Sequence, residues 1–352
     1  MQVFVRPRAY PPAFKEFFAS HQVDLGHEPE MISAIESEWY GIMVTDGRRA
    51  FAHAVAPKPI PGTPWYDVGP FMGYEGFLTT SSEQSFLAEA LSAYSEACKS
   101  LRIVAELIRF NPVLKNHVPY LDRDELDVVA AKSIVVVSCE RDEQRQIDHF
   151  STSCRRSVRQ GLRKLQARLL DKSSEMDLFR QLYERSLERL GAAPHWRFDD
   201  RFYSSVAACP AFKIQSVWSG DKLAAAGLIG AHPTAWHCLL LGTADDRPRW
   251  VVPRLIYETA RRAAEAGCRN LILGGGVTAS PDDSLLQFKV RFASKLTTFF
   301  IGKMQHDKVE FARLSEQAIS ARPDIAESGY FLKHRLVSQL NAVRQHTQEH
   351  SQ

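Results

Sequence analysis

The segment Leu271–Phe292 reads LILGGGVTASPDDSLLQFKVRF and joins an apolar run to a helix-like run through three glycines. The apolar residues before the glycines predict a short buried strand. Asp282 or Asp283 is a suitable N-cap for the helix that follows. The segment therefore predicts a strand, an open turn and a capped helix, which is an arrangement typical of mixed α/β proteins.

Glycines after a strand also suggest a nucleotide-binding loop. A P-loop requires G-x-x-x-x-G-K-[ST], and no such lysine follows Gly274–Gly276. A Rossmann turn requires G-x-G-x-x-G, but Ala279 occupies the third glycine position. The acidic pair Asp282–Asp283 would repel a pyrophosphate. Spacing and charge thus argue against both nucleotide loops.

The composition is that of an ordinary globular protein. The 352 residues are 45% hydrophobic and 24% charged, and the formal net charge of +3 is too small to indicate a nucleic-acid or membrane partner. The six cysteines are scattered without a C-x-x-C pair, which favours a reducing compartment and argues against a thiolate metal site. No signal-peptide pattern or membrane-spanning run is present. We expect a cytoplasmic protein without a bound metal.

The order of predicted elements repeats along the chain. The runs Glu38–Asp46 and Arg48–Ala56 flank Gly47 and predict a hairpin, which is followed by a helix and two strands. The second half repeats this order with a three-strand meander, a helix over Pro253–Cys268, and further strands. We predict an N-terminal domain over 1–145, a C-terminal domain over 146–306 opened by a basic helix pair, and a helical tail over 307–352 that is able to pack on the first domain.

Several motifs occur in the order found in a known family. LGGG, DDSLLQFKVRF and FFIGK together resemble the C-terminal signature of the FemAB-type transferases. The resemblance extends from about residue 38 to residue 305. The other matching motifs are VGPFMGYEG (68–76), ELIRFNPVLKNH (106–117), CRRSVRQGLRKL (154–165) and LYERSLERLGA (182–192).

This resemblance implies an α/β fold of two GNAT-like units in tandem with mixed sheets. It also implies transfer of an acyl or aminoacyl group to an amine, with aminoacyl-tRNA or acyl-CoA as co-substrate and no permanently bound cofactor. Phe288 and Lys289 match the family's Phe-Lys pair. By resemblance, Lys289 stabilises the donor carbonyl or the transition-state charge, and Phe288 shapes the donor site.

The resemblance places the acceptor beside the loop Pro70–Gly76, which contains Tyr74 and Glu75. Tyr66 and Asp67 precede this loop. Asp67 and Glu75 are alternative candidates to accept a proton from the attacking amine. Each of them fits a structural role in a turn equally well.

Two further groups of candidates follow from the same resemblance. Arg109 and Asn111 end a strand that faces the expected cleft, where an arginine suits a phosphate or carboxylate or pairs with Glu106. Gly275 and Gly276 leave room for substrate to approach the backbone closely.

A basic helix opens the second half. Arg155 and Arg159 belong to a series of cations interleaved with apolar residues at helical spacing. The cations suit a nucleotide diphosphate, a tRNA backbone or an anionic lipid-linked acceptor, or they form a solvated face. The helix lacks base-stacking aromatic residues, which argues against specific RNA recognition.

Two features depart from the related families. GNAT proteins hold the coenzyme A pyrophosphate with R-x-x-G-x-G/A, whereas the comparable segment here has Arg247, Arg249 and Arg254 but no glycine. This argues against ordinary acetyl-CoA binding. The strand before this arginine-containing segment carries Trp236 and His237, where the muropeptide-modifying members of the FemAB-type family have tyrosines. This difference argues against a peptidoglycan-precursor acceptor. His237 is a candidate base or substrate contact, or a structural residue.

The sequence therefore predicts an acyltransferase that acts on an amine of an amino sugar, a peptide or a small molecule. Cell-envelope, polysaccharide and peptide biosynthesis are the expected settings. A coenzyme A-dependent N-acetyltransferase is the first alternative. A non-catalytic GNAT-like module that binds RNA or an envelope precursor is the second. The oligomeric state is left open.

Overall fold

The structure is a computed structural model that describes residues 1–293 and 296–337. The strands are β1 (Gln2–Pro7), β2 (Tyr40–Thr45), β3 (Ala50–Val55), β4 (Pro57–Pro59), β5 (Tyr66–Val68), β6 (Leu78–Thr79), β7 (Ile103–Arg109), β8 (Asp127–Ser138), β9 (Gln166–Leu169), β10 (Phe212–Ser219), β11 (Lys222–Ala231), β12 (Trp236–Thr243), β13 (Asn270–Gly275) and β14 (Leu296–Gln305). The α-helices are α1 (Phe14–Phe18), α2 (Pro29–Ile35), α3 (Gln84–Ser100), α4 (Glu143–Asp148), α5 (Thr152–Lys164), α6 (Met176–Leu190), α7 (Asp200–Ala208), α8 (Val251–Glu265), α9 (Ser284–Val290) and α10 (Lys308–Ala321). Short 3-10 helices cover Leu25–His27, Val118–Tyr120, Pro194–Trp196 and Pro323–Ile325.

The strands form a small sheet and a large sheet. The small sheet has the order β1-β2-β3-β6, and the large sheet has the order β4-β5-β7-β14-β8-β13-β12-β11-β10-β9. Strand β14, from the second half of the sequence, lies antiparallel between β7 and β8 of the first half. The large sheet therefore passes through both halves of the chain as one hydrogen-bonded layer.

The elements with strong local patterns form as predicted. The hairpin β2–β3 turns at Gly47, whose φ of +89° is left-handed and suits glycine. The meander β10–β11–β12 is antiparallel throughout. The alternative between the two aspartates is settled, because the side chain of Asp283 accepts from the backbone N–H groups of Leu285 and Leu286, each at 3.0 Å.

Helices cover the two halves of the large sheet. The buried face of α3, including Phe86 and Tyr94, packs on the first half. Helices α5 and α8 share the core of the second half. They approach closely at Gly161, where an added Cβ would lie 2.8 Å from Cβ of Arg254. A larger residue than glycine would therefore push α5 away from α8.

The segment after β14 packs on the first half of the chain. Leu314 of α10 and Leu332 share a buried cluster with Ile60 and Val104. The predicted tail covers 307–352, of which 338–352 lie outside the described residues. Within the described part of the chain, no helix is both long enough and apolar enough to cross a membrane.

Candidate active site

The parallel strands β12 and β13 separate soon after they meet. They pair only at Trp236–Leu271 and His237–Ile272, and beyond that point the two strands share no further pair. Unpaired backbone groups at such an opening are free to bind a ligand. We call the opening between β12 and β13 the cleft.

Two polar side chains meet at Gly274, beside this cleft. A Cβ added to Gly274 would lie 3.7 Å from the Tyr74 hydroxyl and 3.8 Å from Nζ of Lys289. The φ of Gly274 is +72°, a conformation that other residues seldom adopt. Glycine at this position therefore keeps open the space between the tyrosine and the lysine.

The three glycines at 274–276, which we call the glycine turn, also bind two lysines through their carbonyl groups. Nζ of Lys289 donates to the carbonyl of Gly275 at 2.8 Å, and Nζ of Lys132 donates to the carbonyl of Gly276 at 2.7 Å. Burial, reinforced by the charge of Lys132, lowers the pKa of the Lys289 ammonium group. The cleft thus contains a cation that is well placed to stabilise developing negative charge.

A buried pair of a histidine and a carboxylate lies near Tyr74, whose ring centroid is 6.4 Å from that of His237. Nε2 of His237 is 2.8 Å from Oδ2 of Asp24, and both side chains are almost fully buried. Burial alone would raise the pKa of Asp24, but the charge of His237 and hydrogen bonds from His232 and His237 hold it well below its ordinary value. The carboxylate thus stays ionised and fixes the orientation of the His237 ring.

The second ring nitrogen of His237 is available for chemistry. Within residues 1–293 and 296–337, its Nδ1 atom is buried and has no hydrogen-bond partner. It lies 3.9 Å from the position that a Cβ on Gly73 would occupy. When Asp24 accepts from Nε2–H of the neutral ring, Nδ1 carries the free lone pair that a general base requires.

Asp24 reaches His237 because the loop around it is packed closely. A Cβ on Gly230 of β11 would collide with the side chain of Leu25, and a Cβ on Gly26 would lie 2.5 Å from the carbonyl oxygen of Tyr74. Nε2 of His27 is 3.1 Å from the carbonyl oxygen of Gly76. These contacts attach the 3-10 helix Leu25–His27 to both β11 and the Tyr74 loop.

Glu75 is buried behind Tyr74. One of its carboxyl oxygens accepts from the backbone N–H of Arg109 at 3.3 Å, and the other has no hydrogen-bond partner in the described structure. Burial raises the pKa of Glu75 to about 8, although Arg109 acts in the opposite direction. Glu75 is consequently protonated at neutral pH, which makes it a poor proton acceptor.

The thiol of Cys238 lies in the electrostatic field of Lys289. Burial raises its pKa to about 11, and the lysine opposes this only in part. A thiol that stays protonated is a weak nucleophile. The arrangement therefore favours direct transfer over an acylated cysteine.

The structure gathers Lys289, Tyr74, His237, Gly275 and Gly276 at the cleft. Four other predicted residues are placed differently. The ring of Phe288 packs edge-on against Phe292 at 5.4 Å between centroids, and Tyr66 is exposed at the start of β5. Asn111 is buried and donates to Asp24 at 2.5 Å, so it supports the ion pair. Both carboxyl oxygens of Asp67 are bound by side chains of the C-terminal segment, His334 and Arg335.

The basic helix α5 lies on the α8 side of the sheet. Arg155 donates to the carbonyl of Phe150 at 2.7 Å and pairs with Asp148 at 3.3 Å, so part of its charge is already neutralised. Arg159 is exposed. Arg254 pairs with Glu258 at 2.6 Å and is buried, so it is not available to hold a phosphate group.

Sequence reasoning missed two residues of this site. Asp24 lies between α1 and α2, in a stretch whose sequence shows neither strand nor helix periodicity. Lys132 lies in the strand-like run AKSIVVVSC (131–139), where a single lysine carries no sign of a site. The polar clustering of Asp24 and His27 was the one available signal, and it does not indicate a partner more than 200 residues away.

Among the described residues no cluster of three or more His, Cys, Asp and Glu side chains has the arrangement of a metal site.

Comparisons with known proteins agree with this architecture. The family described as Acetyltransferase (GNAT) domain matches residues 152–289, which include the cleft and Lys289. The crystal structure of FemX is similar, with a TM-score of 0.66 and 13% identity, over 89% of this chain and 99% of FemX. The chain has a FemAB-like GNAT fold. The predicted resemblance and fold class are thereby confirmed.

Two further solved structures share the FemAB-like fold. The C-terminal domain (DUF2156) of a protein from Agrobacterium fabrum described as a lysylphosphatidylglycerol synthetase gives a TM-score of 0.54 at 12% identity, over 86% of this chain and 93% of that domain. L-PGS from Bacillus licheniformis gives 0.53 at 12% identity, over 85% and 92%. No curated protein matches the sequence. The acetyltransferase domain identifies the chain as an acyltransferase, as predicted.

Proposed function

We propose that this acyltransferase moves an acyl or aminoacyl group from an activated carrier to an amine at the cleft. One observation carries the proposal: the Tyr74 hydroxyl and Lys289 both lie beside Gly274 at the opening between β12 and β13, and His237, the last paired residue of β12, has an Nδ1 atom with no hydrogen-bond partner among the described residues. A cation and a base beside unpaired strand edges are what amide formation requires.

In the proposed reaction the amine nitrogen attacks the donor carbonyl carbon. Nδ1 of His237 takes the proton that the amine loses, and Asp24 stabilises the resulting imidazolium through Nε2–H. Lys289 stabilises the negative charge that develops on the carbonyl oxygen. The C–N bond forms as the ester or thioester bond to the carrier breaks, and the proton passes to the departing oxygen or sulfur.

The donor is assigned to the side of the sheet covered by α5 and α8. Lys164 stacks over the ring of Trp250, with Nζ 5.6 Å from its centroid, and Trp250 is the N-cap of α8. Arg159 and Arg163 on α5 and Arg247 before α8 are exposed and cationic, which suits the phosphates of a tRNA or of coenzyme A.

We favour an aminoacyl-tRNA donor over acyl-CoA. The loop before α8 lacks the glycines that would present backbone N–H groups to a pyrophosphate, and Arg254 is engaged with Glu258. Lysylphosphatidylglycerol, the product named for one similar structure, carries an aminoacyl group, which is consistent with this choice. An amine of an envelope precursor, a peptide or an amino sugar is the proposed acceptor, and a cytoplasmic site of action would give access to tRNA.

The donor is tested by incubating the protein with amine mixtures and either a pool of labelled aminoacyl-tRNAs or labelled acetyl-CoA. We expect label to appear in amide products only with the aminoacyl-tRNA pool, and we expect ribonuclease treatment of the pool beforehand to prevent it. Transfer from acetyl-CoA that is insensitive to ribonuclease would instead establish a coenzyme A-dependent N-acyltransferase. Failure of transfer from both donors would contradict the proposed function.

A further inference from the structure

Two lysines at the glycine turn and a nearby arginine have no carboxylate hydrogen-bond partner among the described residues. Lys132 and Lys289 donate to the turn carbonyls, and the third cation, Arg109, is exposed at the end of β7. In the described ranges, 1–293 and 296–337, none of the three forms a salt bridge. Unpaired positive charges at one site attract anions.

Arg109 and Lys132 share one face of the large sheet. Arg109 pairs with Ile301 of β14, and Lys132 pairs with Phe299 of the same strand. Phe299 and Ile301 pack in the same hydrophobic cluster as Ile134, so their side chains point to the same face of the sheet across the β-bulge beside Phe299. The ring of Tyr74 packs edge-on against Phe299, with 5.4 Å between ring centroids, which places the two cations next to the cleft.

The surrounding acidic groups neutralise this site only in part. Asp283 uses its carboxylate to cap α9 and to bind Thr278. Glu75 is protonated at neutral pH because burial raises its pKa to about 8. Burial and the charge of Arg109 both lower the pKa of Lys132, and the charge of Asp283 opposes them only in part.

We propose that the amine acceptor carries a carboxylate or phosphate group, which Arg109 and Lys132 bind while the amine faces His237 and Lys289. The proposal rests on the proposed function, since it names the substrate class of the same site. We assign the anionic group to the acceptor and not to the donor, because Arg109 and Lys132 lie on the Tyr74 face of the sheet, whereas α5 and α8, which cover the proposed donor side, lie on the opposite face. Bound in this way, the anion positions the amine and neutralises the two cations.

Binding of three matched amines tests the proposal without a donor. Ethanolamine has no anionic group, β-alanine adds a carboxylate, and O-phosphoethanolamine adds a phosphate. Isothermal titration is expected to show that at least one anionic amine binds about tenfold or more tightly than ethanolamine. The anionic amine that binds more tightly shows whether the site prefers a carboxylate or a phosphate. Equal binding of all three amines, or no binding of either anionic amine, would overturn the proposal.

A double variant assigns the preference to the two cations. Arg109→Gln with Lys132→Gln is expected to abolish the preference, whereas Arg201→Gln with Lys308→Gln, which alters exposed cations outside the cleft, is expected to keep it. Retention of the preference in the Arg109/Lys132 variant would contradict the assignment. Because no donor is present, these results are separate from the transfer assay: anionic amines that bind through both cations yet accept no acyl group would refute the proposed function alone.

Discussion

Nε2 of His237 lies 2.8 Å from Oδ2 of Asp24, although 213 positions separate the two residues in the sequence. The contact joins the loop before the 3-10 helix Leu25–His27 to strand β12. It holds one ring nitrogen of His237, while the other, beside Gly73, has no hydrogen-bond partner among the described residues. The proposed base therefore depends on a carboxylate supplied by a distant part of the chain.

Replacing this base tests its role. His237→Gln is expected to lower the rate of amide formation about 100-fold or more, because the amine loses its proton acceptor. His232→Gln is the matched control, since His232 also lies near Asp24, at 3.4 Å, but belongs to the turn between β11 and β12. Single-turnover transfer rates and thermal unfolding should be measured for both variants. Equal transfer rates in the two variants would refute the assignment of His237.

Gly274 offers a test of the open space between Tyr74 and Lys289. Gly274→Ala places a methyl group in that space and also strains the backbone, at a cost of about 1–2 kcal/mol. Gly267→Ala is the control, because Gly267 has a φ of +84° but no atom of the described residues within 4 Å of an added Cβ. We expect similar losses of thermal stability in both variants and loss of transfer in Gly274→Ala only. Full transfer by Gly274→Ala would show that the space is not used by substrate.

Cys238 distinguishes direct transfer from an acylated enzyme. Its thiol is protonated at neutral pH, because burial raises its pKa to about 11. Cys238→Ala is expected to retain transfer within about threefold of the unaltered chain, and mass spectrometry should detect no acyl adduct on the protein in the absence of acceptor. Accumulation of an adduct that disappears in Cys238→Ala would contradict direct transfer.

Glu75 links stability to pH. Its pKa is raised from an ordinary value of 4.5 to about 8 in the folded chain. Between these two pH values the folded chain therefore keeps the Glu75 proton, whereas the unfolded chain releases it. The contribution of Glu75 to the free energy of unfolding is therefore fully present below about pH 4.5, and it is lost as the pH rises to about 8. Each pKa unit corresponds to about 1.4 kcal/mol.

The matched variant is Glu75→Gln, which is neutral at every pH and similar in shape. Thermal unfolding followed between about pH 5 and pH 8 should show the unaltered chain losing stability relative to Glu75→Gln as the pH rises. A constant difference between the two proteins across this range would show that the pKa of Glu75 is not raised.

The fold was largely predictable because its elements have strong local patterns. The alternating and apolar runs of β2, β3 and β10–β12, and the Asp-capped start of α9, were each visible in a few consecutive residues. The placement of β14 between β7 and β8 was not visible, because strand order depends on pairings between residues far apart in sequence.

The candidate site was predictable only in part, for the same physical reason. Lys289 follows a glycine turn, and resemblance to the FemAB-type transferases singled it out. Asp24 and Lys132 carry no local signal, and their contacts with His237 and the Gly276 carbonyl form only in the folded chain. Asp67 lies near the Tyr74 loop in sequence, yet His334 and Arg335 occupy its carboxylate.

The most direct test of the central claim is the rate of acyl transfer by Lys289→Met, measured beside Lys308→Met as a control for an exposed lysine. Methionine keeps the length of the side chain and removes the charge that stabilises the carbonyl oxygen. With the donor that the unaltered chain uses, we predict a fall of about 100-fold or more for Lys289→Met, no change for Lys308→Met, and nearly equal thermal stability. Unchanged transfer by a folded Lys289→Met variant would contradict the account.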